Sequence, residues 1–170
     1  VDGAEHSRQN EQFYKDYLDG TLDIRAYQRF ALGPLIGRDA DTLESWHRQY
    51  MREKIQPLLL PAAHYLLDWH RNQGHLPMII TATNRFITAP IAGAFGVEHL
   101  LAVEPEIKGG HYTGEIVGIP TFQQGKVERL QIWLEEAGYN LAGAWFYSDS
   151  HNDLPLLEAV DNPVAVDPDD

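Results

Sequence analysis

The 170-residue chain contains no cysteine. Disulfides and Cys-based zinc sites are therefore excluded, and a reducing, cytoplasmic setting is the expectation. Positive charge is scarce as well. Thirteen Lys and Arg stand against 25 Asp and Glu, a formal net charge of −12, which argues against a broad nucleic-acid-binding surface. Long hydrophobic runs are also missing, and every apolar stretch falls far short of the roughly 18 residues that a membrane helix needs. Neither an internal repeat, a low-complexity segment nor a flexible linker interrupts the chain. What is present is ordinary globular material, 44% hydrophobic and 22% charged. At this length it makes one domain, or a core carrying a smaller lid.

Residues 1–60 read as helices. Phe13, Tyr14, Tyr17 and Leu18 recur on one helical face, and Gly20 ends that helix. A second begins near Asp23 with Ile24, Tyr27, Ala31 and Leu35 on its stripe. A third, capped by Asp39 or Asp41, carries Leu43, Trp46, Tyr50 and Met51. A fourth is expected from Pro61 to Asn72. From Gly74 the pattern alternates. Leu76–Thr81 reads as a buried strand, followed by a helical stretch with a start or kink at Pro90. Leu100–Val103 is a second strand, and Ile107–Ile116 a hairpin turning at Gly109-Gly110. Val127–Ala137 is an amphipathic helix closed by Gly138. Ala144–Tyr147 and Pro163–Val166 complete the strands, with Leu154–Val160 a short helix between them. Strands alternating with helices predict an α/β, doubly wound parallel sheet.

Ligands of such a sheet bind beyond the carboxyl ends of its strands. Thr81, Ala82, Thr83 and Asn84 lie at one such end. Asp149 follows another in Tyr147-Ser148-Asp149-Ser150-His151-Asn152-Asp153, and Lys126 follows Gly125 at the start of the long amphipathic helix. A hydroxyl, an ammonium and two carboxylates at one sheet edge suit a phosphate and a hard divalent cation. Mg²⁺ takes one or two carboxylates and fills its shell with water and substrate oxygens, while an ammonium offsets charge on a phosphoryl group. Each residue has a plainer reading: Thr81 as a β-branched strand residue, Lys126 as a solvated first-turn residue, Asp153 as a helix N-cap.

Taken in order, Ile79-Ile80-Thr81, Gly125-Lys126 and Tyr147 to Asp153 resemble the second, third and fourth motifs of the haloacid dehalogenase-like (HAD) hydrolase superfamily. The resemblance is closer to its phosphoserine phosphatase and histidinol-phosphatase-like branch, and it covers nearly the whole chain. It implies a Rossmann-like core over residues 61–170 and an inserted helical cap over residues 1–60, with Gly110-His111-Tyr112-Thr113-Gly114 as the branch's hairpin. It further implies that Thr81, with Ala82, Thr83 and Asn84, binds the phosphoryl oxygens and that Lys126 bridges nucleophile and phosphate. Asp149 would ligate Mg²⁺, Asp153 would support metal and lysine, and Asn152 would organise the loop and substrate. Ser148 stands where the family often has Gly.

The same family begins its chemistry with an Asp-x-Asp pair at the end of a first strand, one Asp attacking phosphorus and the other acting as acid and base. Asp39-Ala40-Asp41 has the spelling but follows no apolar strand, and it reads as a helix cap. Asp167-Pro168-Asp169 comes after the last strand. The expectation is a family member without its first strand and incomplete at both ends, with a gap in the sheet between the strands ending at Thr81 and Asp149. A phosphate-binding loop at Gly118–Lys126 has the wrong glycine spacing, and Val127 stands where Ser or Thr is required. Eight His include His64 and His70, off one helical face and read as surface residues rather than zinc ligands. Arg25, Arg29, Arg48 and Arg52 read mostly as solvated. The function expected is a Mg²⁺-dependent phosphomonoesterase of a small phosphorylated metabolite; the alternative is a catalytically silent relative that binds a phosphorylated ligand or a partner protein. The sequence assigns neither the substrate nor an oligomeric state.

Overall fold

A computed structural model describes residues 3–168. Asp169 lies outside the described residues, so the Asp167-Pro168-Asp169 spelling is only partly placed. Helix α1 (Gly3–Leu18) buries no residue fully. Its Phe13 meets Tyr27 and Phe30 of α2 (Ile24–Leu32) at ring-centroid distances of 5.5 and 5.2 Å. Asp23 starts α2 by accepting from the backbone N–H groups of Arg25 and Ala26, both at 3.0 Å. Asp39 does the same for α3 (Ala40–Tyr50), accepting from the Thr42 N–H at 2.8 Å. That bond, with one donated by the Thr42 hydroxyl at 2.9 Å, holds the Asp39 carboxyl below its usual range. The Asp39-Ala40-Asp41 spelling is thus a helix start. Pro61 opens α4 (Pro61–Asn72), where its missing N–H costs nothing.

The α/β part runs β1 (Met78–Asn84), α5 (Arg85–Ala94), β2 (His99–Lys108), β3 (His111–Val117), α6 (Gln124–Ala137), β4 (Trp145–Ser148), α7 (Leu154–Leu157) and β5 (Asn162–Ala165). Strands β1 and β2 pair in parallel with Ile79 opposite Leu100, as β4 and β5 do with Tyr147 opposite Val164. The hairpin β2–β3 is antiparallel and turns at Gly109 and Gly110, both with positive φ. Several expected boundaries shift; the strand expected at Leu100–Val103, for one, runs from His99 to Lys108. The strand expected at Leu76–Thr81 starts at Met78 and extends to Asn84. Helix α5 starts at Arg85 with Asn84 as its cap and runs through Pro90. The short helix expected to reach Val160 ends at Leu157.

Two sheets result, β1–β2–β3 and β4–β5, and β1 is not hydrogen-bonded to β4. The expected gap is there. Side chains bridge what backbone does not: Ile80 of β1, Leu101 of β2 and Phe146 of β4 join Val127 and Leu130 of α6 and Leu156 of α7 in one apolar cluster. A second cluster seats the helices on the hairpin side, where Leu32, Leu35 and Leu43 pack against Val103 and Ile116. One sequence expectation fails on the far face of β4. His70 is not a surface residue but 9% exposed. Its Nε2 bonds the Tyr147 hydroxyl at 2.9 Å and its Nδ1 the His75 Nδ1 at 2.8 Å.

Candidate active site

The gap between β1 and β4 opens into a cleft of about 580 Å³ whose walls are the ends of those strands, the Asp149–Asp153 loop, Lys126 and the inner faces of α1 and α2. Among the described residues the carboxylates lining it are Asp149 and Asp153.

Lys126 enters from the first turn of α6 and is 6% exposed. Gly125 before it is a steric requirement, because a Cβ there would collide with the Pro120 carbonyl oxygen. The Lys126 ammonium meets Asp153 Oδ1 at 2.5 Å, with the two side chains 7% and 9% exposed. The other oxygen, Oδ2, accepts from the Ser148 hydroxyl at 2.7 Å. Asp153 occupies the N-cap position of α7, but its side chain makes no capping hydrogen bond there. Both of its oxygens are engaged, which suits holding a lysine better than ligating a cation directly. A buried ion pair of this kind is costly to desolvate and strongly destabilising to break.

Asp149 is the contrast. It sits exposed at the cleft, one residue past β4. Ser148 at the end of β4 accepts the Ser150 N–H at 3.1 Å, and the Ser150 hydroxyl accepts the Asn152 N–H at 3.2 Å, which curls the loop around Asp149. Asn152 is 4% exposed and fixed from two sides, accepting from Gln123 Nε2 at 2.9 Å and donating to the Tyr17 carbonyl at 3.2 Å.

Opposite, the Thr81 hydroxyl oxygen accepts the Thr83 N–H at 3.1 Å, so its own proton is left to donate into the cleft. Buried Thr121 donates to the Thr81 carbonyl at 2.5 Å, and Gln28 of α2 donates to the Ala82 carbonyl at 2.8 Å. Ala82 and Thr83 line the cleft with Thr81. Asn84 does not; its Oδ1 accepts the Ile87 N–H at 3.2 Å as the cap of α5. Of the sequence-derived residues, the structure brings together Thr81, Ala82, Thr83, Lys126, Asp149, Asn152 and Asp153, and sets Asn84 behind them. The contacts supplied by Tyr17, Gln28, Thr121 and Gln123 were not read from the sequence. Tyr17 alone carried a signal, since it shares the stripe of Phe13 and Tyr14; it also hydrogen-bonds Ser150 through its hydroxyl. Arg25 and Arg29 pin α2 to the hairpin end, through the Gly118 carbonyl at 2.9 Å and Glu115 at 3.4 Å.

The donor set fits a hard divalent cation that borrows most of its shell. No group of three or more His, Cys, Asp or Glu converges among the described residues. One free carboxylate with water and phosphate oxygens is the pattern Mg²⁺ accepts, whereas structural zinc wants a full protein cage.

Residues 4–158 match the haloacid dehalogenase-like hydrolase family. The chain belongs to that family. It is 42% identical, over 99% of its length, to the histidinol-phosphatase of Neisseria meningitidis serogroup C, and covers 78% of that protein. A crystal structure of a Bordetella pertussis Tohama I protein of unknown function matches with a TM-score of 0.89 at 44% identity, covering 99% of this chain and 77% of that one. A phosphoserine phosphatase solved as a phospho-aspartyl intermediate analogue matches with a TM-score of 0.64 at 17% identity, over 92% and 73% of the two chains, a likeness of fold. The chain spans about half the length of the mycobacterial relatives it matches. Lys126, Asp149 and Asp153 line one cleft.

Proposed function

We propose that the protein is a Mg²⁺-dependent phosphomonoesterase of a small phosphorylated metabolite, with the ester's phosphoryl group bound between Thr81 and Lys126. The observation that carries this reading is the buried Lys126–Asp153 pair at the mouth of a cleft that also holds Asp149. Thr81 donates its hydroxyl to one phosphoryl oxygen. Lys126, held in place by Asp153, offers a fixed positive charge to another, and this charge is preorganised because Ser148 in turn fixes the Asp153 carboxylate. Asp149 would hold Mg²⁺, which neutralises phosphoryl charge when bound. The attacking group in this reading is a carboxylate that the gap between β1 and β4 admits on an extended segment; its oxygen bonds phosphorus as the bond to the ester oxygen breaks, the alcohol leaves with a proton taken from solvent, and water then cleaves the aspartyl-phosphate to phosphate and the free carboxylate. The helices of residues 1–60 act as the cap over residues 61–170. The names of the relatives, histidinol-phosphatase and phosphoserine phosphatase, are consistent with this substrate class.

Phosphate release by the natural full-length protein against a panel of small phosphomonoesters tests the reading. Expected is Mg²⁺-dependent turnover that Asp149→Ala lowers at least about 100-fold. Undiminished turnover in that variant, or none by the folded wild type, would refute it.

A further inference from the structure

The backbone is strained just before Lys126. Gln123 has φ 46° and ψ −124°. Those are the angles of the first central position of a type II′ turn, which glycine ordinarily fills. The turn is closed by the Gly125 N–H, which donates to the Phe122 carbonyl at 2.9 Å, and the Gln123 carbonyl then accepts from the Lys126 N–H at 3.0 Å. A glycine at 123 would make the same turn without the steric cost of a Cβ. Gln123 stands at the N-cap position of α6, yet its side chain makes no capping hydrogen bond there. It reaches instead to the Asp149–Asp153 loop, where Nε2 donates to Oδ1 of buried Asn152 at 2.9 Å. The start of α6 is therefore tied to that loop twice, by Lys126 to Asp153 and by Gln123 to Asn152.

We infer that Gln123 is a positioning residue whose side-chain amide stops the loop carrying Asp149 from pivoting about the Lys126–Asp153 pair, and that the strained turn is what aims this amide. The catalytic consequence rests on the phosphatase reading; the ordering of the loop does not. A loop held at one point can rotate about it, and a second tie removes that rotation. This tie is braced from the far side, because Asn152 Nδ2 donates to the Tyr17 carbonyl at 3.2 Å. Both ends of the Asn152 amide are thus used in a single orientation, its oxygen toward Gln123 and its nitrogen toward α1. Gln123 acts through Asn152 on Asp149, three residues earlier in the same tight loop, rather than on a bound group. Its backbone serves the other half of the site, since the turn it makes is the one that sends Lys126 into the cleft.

Substitution at 123 separates the turn from the amide. In the natural full-length protein with Mg²⁺ and p-nitrophenyl phosphate, Gln123→Gly should lower kcat about 10-fold, the worth of one buried hydrogen bond, with KM changed less than about 2-fold. Its melting midpoint should be no lower than that of the wild type, because the strain goes with the hydrogen bond. Gln123→Ala keeps the strained turn and loses the bond, so it should show the same fall in kcat and melt about 2–4 °C lower. In an Asn152→Ala background, Gln123→Gly should change kcat less than about 2-fold, since its partner is already gone. Amide hydrogen exchange at Ser150 and Asn152 should quicken about 10-fold in Gln123→Gly. A kcat within about 2-fold of wild type in Gln123→Gly, additive losses in the double variant, or a glycine variant that melts as low as the alanine one would each overturn the inference and leave the phosphatase reading intact. If the wild type releases no phosphate from any ester, that reading fails instead. Exchange then decides the inference by itself: faster exchange in Gln123→Gly upholds it, and unchanged exchange overturns it.

Discussion

The two ends of the cleft are held in place by different physics. At the α/β end, position is set by charge and hydrogen bonds. Lys126, Asp153 and Ser148 form a chain in which each polar atom is specified by the next, buried where such interactions are strongest. At the helical end, position is set by packing: Leu32, Leu35 and Leu43 seat the helices on β2 and β3, and edge-on and tilted rings fix the wall. The first arrangement suits a group whose charge is always the same, a phosphoryl. The second suits variable organic parts, since an apolar wall can be recut without disturbing a polar network. Polar bridges between the ends, among them Gln28 to the Ala82 carbonyl, Tyr17 to Ser150 and Asn152 to the Tyr17 carbonyl, keep them in register.

That contrast can be broken from the charged end first. Lys126→Ala in the natural full-length protein should lower kcat about 1000-fold or more in a phosphate-release assay, since a preorganised charge at a reacting phosphoryl is among the largest single contributions to rate. Asp153→Asn should do less to kcat, about 100-fold, but it leaves a buried lysine without its counter-charge. Denaturant unfolding should register a loss of about 3–5 kcal/mol. Leu32→Ala attacks the other end. It removes a fully buried side chain from the cluster beneath α2 and should cost about 2–5 kcal/mol, raising KM more than it lowers kcat.

The smallest effect concerns pH. Burial, with neighbouring His75, holds the His70 pKa below its ordinary value of 6.5. The unfolded chain regains that value, so below about pH 6.5 it takes up a proton that the folded state resists. Stability from this group is fully present above pH 6.5 and is lost as pH falls toward the folded-state value. The groups facing His70 are His75, Tyr147, Trp69 and Trp145. Thermal melts between pH 7.5 and 5.5 should show the midpoint falling on acidification, with a shallower slope in His70→Gln, which keeps hydrogen-bonding capacity without the titration.

Much of the site was legible in the sequence because its constraints are local. Gly125 and Lys126 are adjacent because the turn leaves no room for a Cβ and the lysine must leave the first turn of α6. Asp149 and Asp153 are four residues apart because one tight loop carries both. The helices were legible from periodicity and from Asp23 and Asp39 as caps. The partners from afar were not. Tyr17 and Ser150 are 133 residues apart, and Thr121 reaches the Thr81 carbonyl across 40, distances at which no spacing rule operates. Two placements share a cause: Asn84 spends its side-chain oxygen on capping α5, and His70, expected at the surface, is drawn inside by Tyr147 and His75. A polar residue type says what a side chain can bond, and only the fold says which partner gets there first.

The most direct test of the account is a crystal structure of the natural full-length protein grown with Mg²⁺ and orthovanadate, an oxyanion that mimics a phosphoryl group in transfer. The account predicts vanadate oxygens within hydrogen-bonding distance of Thr81 Oγ1 and Lys126 Nζ and the cation on Asp149, with the Lys126–Asp153 pair unbroken. Vanadate bound elsewhere, or Lys126 still facing only Asp153 with the anion out of reach, would contradict it.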